Sequence, residues 1–195
     1  IVEACQETAQ KVEPVYQLTK AELTETKDTG HFDETGSRIA GKLWWLHVVC
    51  TALLTYYAPH RKRGGEALDA IGIFPVFKGK AMHDGYRSYF QYEDVINALC
   101  NAHHLRDLIF VRDQYQQTWA AEMIKLLLEI KTAVEEAPPE QQSLLPTQIA
   151  DFENRYAAIL ASGLQTCPAL EPAEPLPKKR GKPKQHPVKN LLDHL

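Results

Sequence analysis

The chain has 195 residues, 44% of them apolar and 24% charged, with a formal net charge of −3. This is the balance of one ordinary globular domain, or of one domain with an appendage, and it excludes wholesale disorder. No apolar run reaches the roughly 18–20 residues of a membrane-spanning helix, and Ile1 opens neither on Met nor on a basic-then-apolar leader, which points to a piece of a longer protein without a signal peptide.

Residues 1–22 are expected to form a helix, because Ile1, Cys5, Val12 and Tyr16 fall near one face at helical spacing. Pro14 predicts a kink or an early stop in it. Lys27-Asp28-Thr29-Gly30 is a turn signal, after which the periodicity becomes that of strands. Phe32 opens a short one, Gly36 and Gly41 bracket a turn region, and the runs 43–49 and 53–58 are rich in aromatic and β-branched residues. Three antiparallel strands are therefore expected over 31–58. A short helix over 66–71, a brief strand over 80–83 closed by Asp84-Gly85, and a buried strand over 95–99 follow. This order predicts an α/β domain with a layered mixed sheet rather than a helical bundle.

From about His103 to Val134 apolar residues recur at three- and four-residue steps, and Ile149, Phe152, Tyr156, Ile159 and Leu160 mark a second amphipathic helix. The two read as an antiparallel helical hairpin appended to the sheet. Six of the twelve prolines lie between Pro168 and Pro187, a density that predicts an extended Pro/Lys-rich linker. The expected organisation is an N-terminal helix (1–22), a core (23–103), a helical insertion (104–164), a linker (165–189) and the start of a further helix (190–195).

Two acidic residues stand out by setting. Asp33 sits in or beside the first strand, and Asp84 ends the fourth. Strand ends on one sheet edge bring such residues together, and two carboxylates so placed can hold Mg²⁺ (or Mn²⁺) by oxygen ligation. Asp before Gly is also a common turn residue, so the spacing alone leaves both readings open. Glu34 is a weaker candidate, since neighbouring strand side chains point to opposite faces. Cys100 and His103 have a Cys-x-x-His spacing found in zinc sites. The other cysteines (Cys5, Cys50, Cys167) supply no second pair, and their scatter fits a reducing cytoplasm. Basic residues gather at Arg61, Lys62 and Arg63 and again at Lys178, Lys179 and Arg180; either group can contact a nucleic-acid backbone, or the second can be a solvated tether. Arg106 shares a helical face with His103.

The stretches Asp33-Glu34-Thr35-Gly36, Ala40-Gly41-Lys42-Leu43-Trp44-Trp45-Leu46-His47-Val48, Leu54-Thr55-Tyr56-Tyr57, His83-Asp84-Gly85 with Tyr89, Cys100-Asn101-Ala102-His103-His104-Leu105-Arg106 and Asn190-Leu191-Leu192 occur in order along the whole chain. In these it resembles the transposases of the bacterial insertion sequence 66 family. The resemblance implies a ribonuclease-H-like catalytic domain of the Asp-Asp-Glu type, with Asp33 the first acid and Asp84 the second, both metal ligands, and His103 near the scissile phosphate. It implies metal-dependent cleavage and strand transfer of double-stranded DNA, self-association during transposition, and a cytoplasmic, nucleoid-associated location. The family's third acid, a glutamate, follows the helical insertion in a segment rich in asparagine and acidic residues. Glu129, Glu135 and Glu153 do not match it, so no third catalytic residue is assigned, and residues 1–195 alone are expected to be inactive or nearly so. A hydrolytic nuclease of the same fold and a catalytically inactive DNA-binding remnant are the alternatives.

Overall fold

A computed structural model describes residues 2–138, 140–141, 143–167 and 185–195. They form two compact units, Ile1–Cys100 and Asn101–Leu195.

The first unit contains α1 (Val2–Glu25), β1 (Gly30–Ile39), β2 (Lys42–Cys50), β3 (Thr55–His60), α2 (Gly65–Ile71), β4 (Lys80–His83) and β5 (Ile96–Leu99). The five strands make one sheet in the order β3-β2-β1-β4-β5. β1, β2 and β3 pair antiparallel, whereas β4 lies parallel to both β1 and β5. The unit is thus α/β with a mixed sheet.

Alternation along the strands sends Phe32, Val49, Tyr56, Ala58 and Ala81 to one face, where Leu68, Ile73, Phe74, Phe77 and Tyr89 cover them. Phe32 meets the edges of Phe74 and Phe77, with ring centres 4.8 and 5.0 Å away. Each aromatic ring buries 150–250 Å² by ordinary measure, so this cluster supplies much of the unit's hydrophobic stabilisation.

Two local expectations need correction. α1 does not stop early at Pro14 but continues unbroken to Glu25 with the proline inside it. Its C-terminal half is anchored: Leu23 is buried, Tyr16 stacks on Tyr56 at 4.4 Å, and the Tyr16 hydroxyl donates to the Tyr57 carbonyl at 3.0 Å. Nor does Gly36 turn the chain. It is paired with Trp45 inside the β1–β2 ladder, and the reversal is made by Ala40 and Gly41, with φ of 48° and 75°. A two-residue hairpin loop of this type needs positive φ at both positions, so only the second residue suits it fully.

The second unit consists of α3 (Asn101–Tyr115), α4 (Thr118–Glu135), α5 (Pro146–Thr166) and α6 (Pro187–Leu192). The single long helix expected over 103–134 is two. Gln116 adopts φ 53°, its side-chain amide donates back to the Asp113 carbonyl at 2.8 Å, and the Trp119 indole donates to the Gln117 side chain at 3.2 Å. Turning there lets α3 and α4 bury Leu108, Val111, Trp119, Met123 and Leu126 in a shared core. The C-terminal helix begins at Pro187 rather than at 190, with His186 Nδ1 accepting from the Val188 N–H at 3.2 Å, and it buries Val188, Leu191 and Leu192 in the same core. The expected linker falls largely on residues 168–184, which lie outside the described residues.

The entry to β4 depends on a close passage of two chain segments. A Cβ on Gly79 would stand 2.0 Å from the Asp28 carbonyl oxygen, a backbone atom that cannot swing aside. Gly79→Ala is expected to destabilise the first unit by about 1–3 kcal/mol, read as a lower midpoint in urea unfolding. An unchanged midpoint would contradict this packing.

Candidate functional site

The parallel pairing of β1 with β4 runs through Gly30↔Ala81 and His31↔Met82. Asp33 follows His31 by two residues within β1, and Asp84 follows Met82 by two, one residue past the end of β4. Alternation directs Phe32 and His83 into the core and turns Asp33 toward the other face, while Asp84 follows the end of β4. Both carboxylates are held locally. Asp33 Oδ1 accepts the Glu34 N–H at 2.8 Å, and Asp84 Oδ1 accepts the Tyr86 N–H at 2.8 Å across Gly85, whose φ is 85°. Asp33 is exposed and the Asp84 side chain is 27% exposed.

Glu34, one residue on, faces the interior, and its side chain is only 1% exposed. A buried carboxylate needs partners for both oxygens. Oε1 accepts from Arg63 Nε at 2.6 Å, and Oε2 accepts from the Tyr89 hydroxyl at 2.6 Å. Burial raises the Tyr89 phenol far above its usual range, and Glu34, Asp84 and Asp33 push it in the same direction. All three carboxylates therefore act on one hydroxyl, which stays a proton donor.

Arg63 follows β3, which runs in the same direction as β4. Its guanidinium lies 4.1 Å over the Tyr86 ring and 5.0 Å from the Trp45 ring centre, and its Nη2 is 3.8 Å from Asp84 Oδ2. Burial works against its charge, but the bond to Glu34 and the Glu34 and Asp84 charges outweigh it and hold Arg63 more firmly protonated than usual.

His83 steadies the residue before Asp84. Its Nδ1 accepts the Gly85 N–H at 3.0 Å, so Nε2 carries the proton donated to Asn97 Oδ1 at 2.9 Å. Asn97 in turn donates to the Val95 carbonyl at 3.0 Å, and the His83 ring stacks on Tyr89 at 4.4 Å. Burial lowers the His83 pKa, in keeping with this neutral tautomer. Cys100 donates its N–H to the His83 carbonyl at 2.8 Å.

The other residues singled out by sequence are distributed as follows. Arg61 is exposed, with its guanidinium 4.2 Å over Trp44; Lys62 is exposed; Arg63 is turned toward Glu34 as described. His103 and Arg106 lie on α3 in the second unit, where His103 Nδ1 is buried without a hydrogen-bond partner among the described residues and Arg106 is exposed. Glu129 pairs with Arg155 at 2.5 Å and Glu135 with Lys131 at 3.0 Å. Lys178, Lys179 and Arg180 lie outside the described residues. Among the described residues no group of three or more His, Cys, Asp or Glu side chains is placed to hold a metal ion, and no helix is long and apolar enough to cross a membrane.

Sequence reasoning passed over Glu34, Tyr89 and Arg63 as one network. The available signal was the two-residue step from Phe32 to Glu34, which puts the carboxylate on the core face, where it must find a cation or a hydroxyl.

The histidine opposite Glu34 in the ladder, His47, is 3% exposed and donates Nε2–H to the Lys62 carbonyl at 3.1 Å. Burial lowers its pKa. Because the unfolded chain takes up a proton near pH 6.5 and the folded chain resists it, this contribution to stability is complete above that pH and is lost as pH falls below it. The unfolding temperature should drop between pH 7.5 and 5.5, and His47→Asn should shrink that drop. An equal drop in both proteins would contradict the assignment.

No curated protein matches this chain. The family model described as Transposase IS66 family matches residues 1–192, nearly the whole sequence, and the chain therefore belongs to that family of transposases.

Proposed function

We propose that the chain carries the strand-cleaving and strand-joining core of a transposase, with Asp33 and Asp84 as ligands for a divalent cation and double-stranded DNA as substrate. The observation that supports this reading is the parallel β1–β4 pairing through His31↔Met82, each of which precedes one of the two aspartates by two residues. The strand order, with three antiparallel strands followed by two parallel ones, supports a ribonuclease-H-like core.

The residues present fit a hard cation. Both candidate ligands are carboxylates, each keeps an oxygen clear of its backbone N–H partner, and Mg²⁺ ordinarily takes one or two carboxylates and completes its shell with water and phosphate oxygens. When bound, such an ion supplies Lewis-acid polarisation of a phosphoryl oxygen and charge neutralisation in phosphodiester chemistry. The chain's own contribution is to orient the two carboxylates. The Tyr86 N–H orients Asp84, the Glu34 N–H orients Asp33, and the neutral His83 ring, braced by Asn97 and Tyr89, sets the backbone between β4 and the turn.

Exposed Arg61 and Lys62 supply charge for DNA-backbone contacts, which position a duplex without reading its sequence. Arg106, Lys178, Lys179 and Arg180 belong to the same proposal, as does His103 as a phosphate contact. Self-association and a cytoplasmic, nucleoid-associated setting follow from the transposition reading. Two carboxylates are an incomplete set for a two-metal reaction, so residues 1–195 alone should turn over DNA poorly.

Titration with Mn²⁺, followed by the loss of the free-ion electron paramagnetic resonance signal, tests the site. The wild-type chain should bind, and Asp33→Ala and Asp84→Ala should each weaken binding at least about tenfold, a difference of about 1.4 kcal/mol. Equal binding by all three proteins would overturn the reading.

A further inference from the structure

Glu34 is a buried carboxylate that the proposed chemistry does not use. It is also the best-partnered acid in the first unit, with Arg63 on one oxygen and Tyr89 on the other at 2.6 Å each. Arg63 stands between two acids and bonds only one of them. Its Nε is hydrogen-bonded to Glu34, whereas its Nη2 stays 3.8 Å from Asp84 Oδ2, beyond hydrogen-bond distance.

A guanidinium is a flat fork that matches a carboxylate edge on, and two parallel N–H···O bonds are its strongest arrangement. Turned toward Asp84, it would occupy the oxygen that the Tyr86 N–H leaves open. Three features oppose that turn. The Glu34 oxygen fixes Nε, the Tyr89 hydroxyl fixes the other Glu34 oxygen, and the Tyr86 and Trp45 rings flank the guanidinium plane. The Glu34 charge also cancels that of Arg63, so that a cation arriving at Asp84 does not meet an uncompensated positive neighbour.

We propose that Glu34 is a positioning residue that holds Arg63 back from Asp84 and so keeps the outer Asp84 oxygen available to a divalent cation. This rests on the reading of Asp84 as a metal ligand.

The test is Mn²⁺ affinity measured on the 195-residue chain for wild type, Asp84→Ala, Glu34→Gln, Arg63→Met and the double variant E34Q/R63M, with unfolding temperatures recorded for each. Glu34→Gln frees Arg63 to close on Asp84 and should weaken Mn²⁺ binding at least about tenfold. Arg63→Met removes the competitor and should bind Mn²⁺ at least as tightly as wild type. The double variant should recover to within about threefold of wild type, although it lacks the same buried ion pair. A purely structural ion pair predicts the opposite pattern, with lower unfolding temperatures in all three and no rescue of Mn²⁺ affinity, and that result would overturn the proposal. Should Glu34→Gln fail to fold, weaker Mn²⁺ binding by a folded Arg63→Met would overturn it alone. If Asp84→Ala binds as wild type does, the ligand reading itself fails. If Asp84→Ala loses binding while Glu34→Gln keeps it, the ligand reading stands and the positioning role falls.

Discussion

Two residue pairs between β1 and β4 carry most of the functional argument. Gly30↔Ala81 and His31↔Met82 form the parallel ladder between those strands, and Asp33 and Asp84 each follow the second pair by two residues. The small residues in the first pair are a packing requirement. A Cβ on Gly30 would stand 2.5 Å from the Phe77 ring, and Ala81 is completely buried. Aromatic packing on the core face thus fixes the register, and alternation within β1 places Asp33 on the opposite face. A slip of one residue would reverse which side chains face the core.

The strands of the first unit were legible because their residues are unambiguous. Trp44, Trp45, Val48, Val49, Tyr56 and Tyr57 concentrate aromatic and β-branched side chains in short runs, and no helical period competes with them. The early stop read from Pro14 and the turn read from Gly36 fail for a shared reason. Each is a local signal that the surroundings override: Tyr16 and Leu23 dock α1 across the proline, and Gly36 is enclosed by the β1–β2 ladder opposite Trp45. In the second unit the apolar spacing runs almost continuously through 105–130, so periodicity joined α3 to α4. The break at Gln116 is a left-handed residue with no glycine to announce it.

The candidate site was half legible. The two aspartates stood out by setting, Asp33 in or beside a predicted strand and Asp84 at the end of another. Their support did not, because Glu34, Arg63 and Tyr89 are separated by 26 to 55 residues and meet only once the sheet is assembled. Alternation correctly set Glu34 on the face opposite Asp33, but it does not reveal that this face is the one that excludes water. Burial turns an ordinary strand glutamate into a group that must be paired, and the pairing in turn restrains the arginine beside Asp84.

The proposed chemistry requires Asp33 and Asp84 to converge on one cation. A crystal structure of the chain grown with Mn²⁺, with data collected at the manganese absorption edge, tests this most directly. An anomalous peak is expected in contact with carboxylate oxygens of both residues, with Arg63 still bonded to Glu34. The two carboxylates pointing to opposite faces of the sheet, or manganese bound only elsewhere, would contradict it.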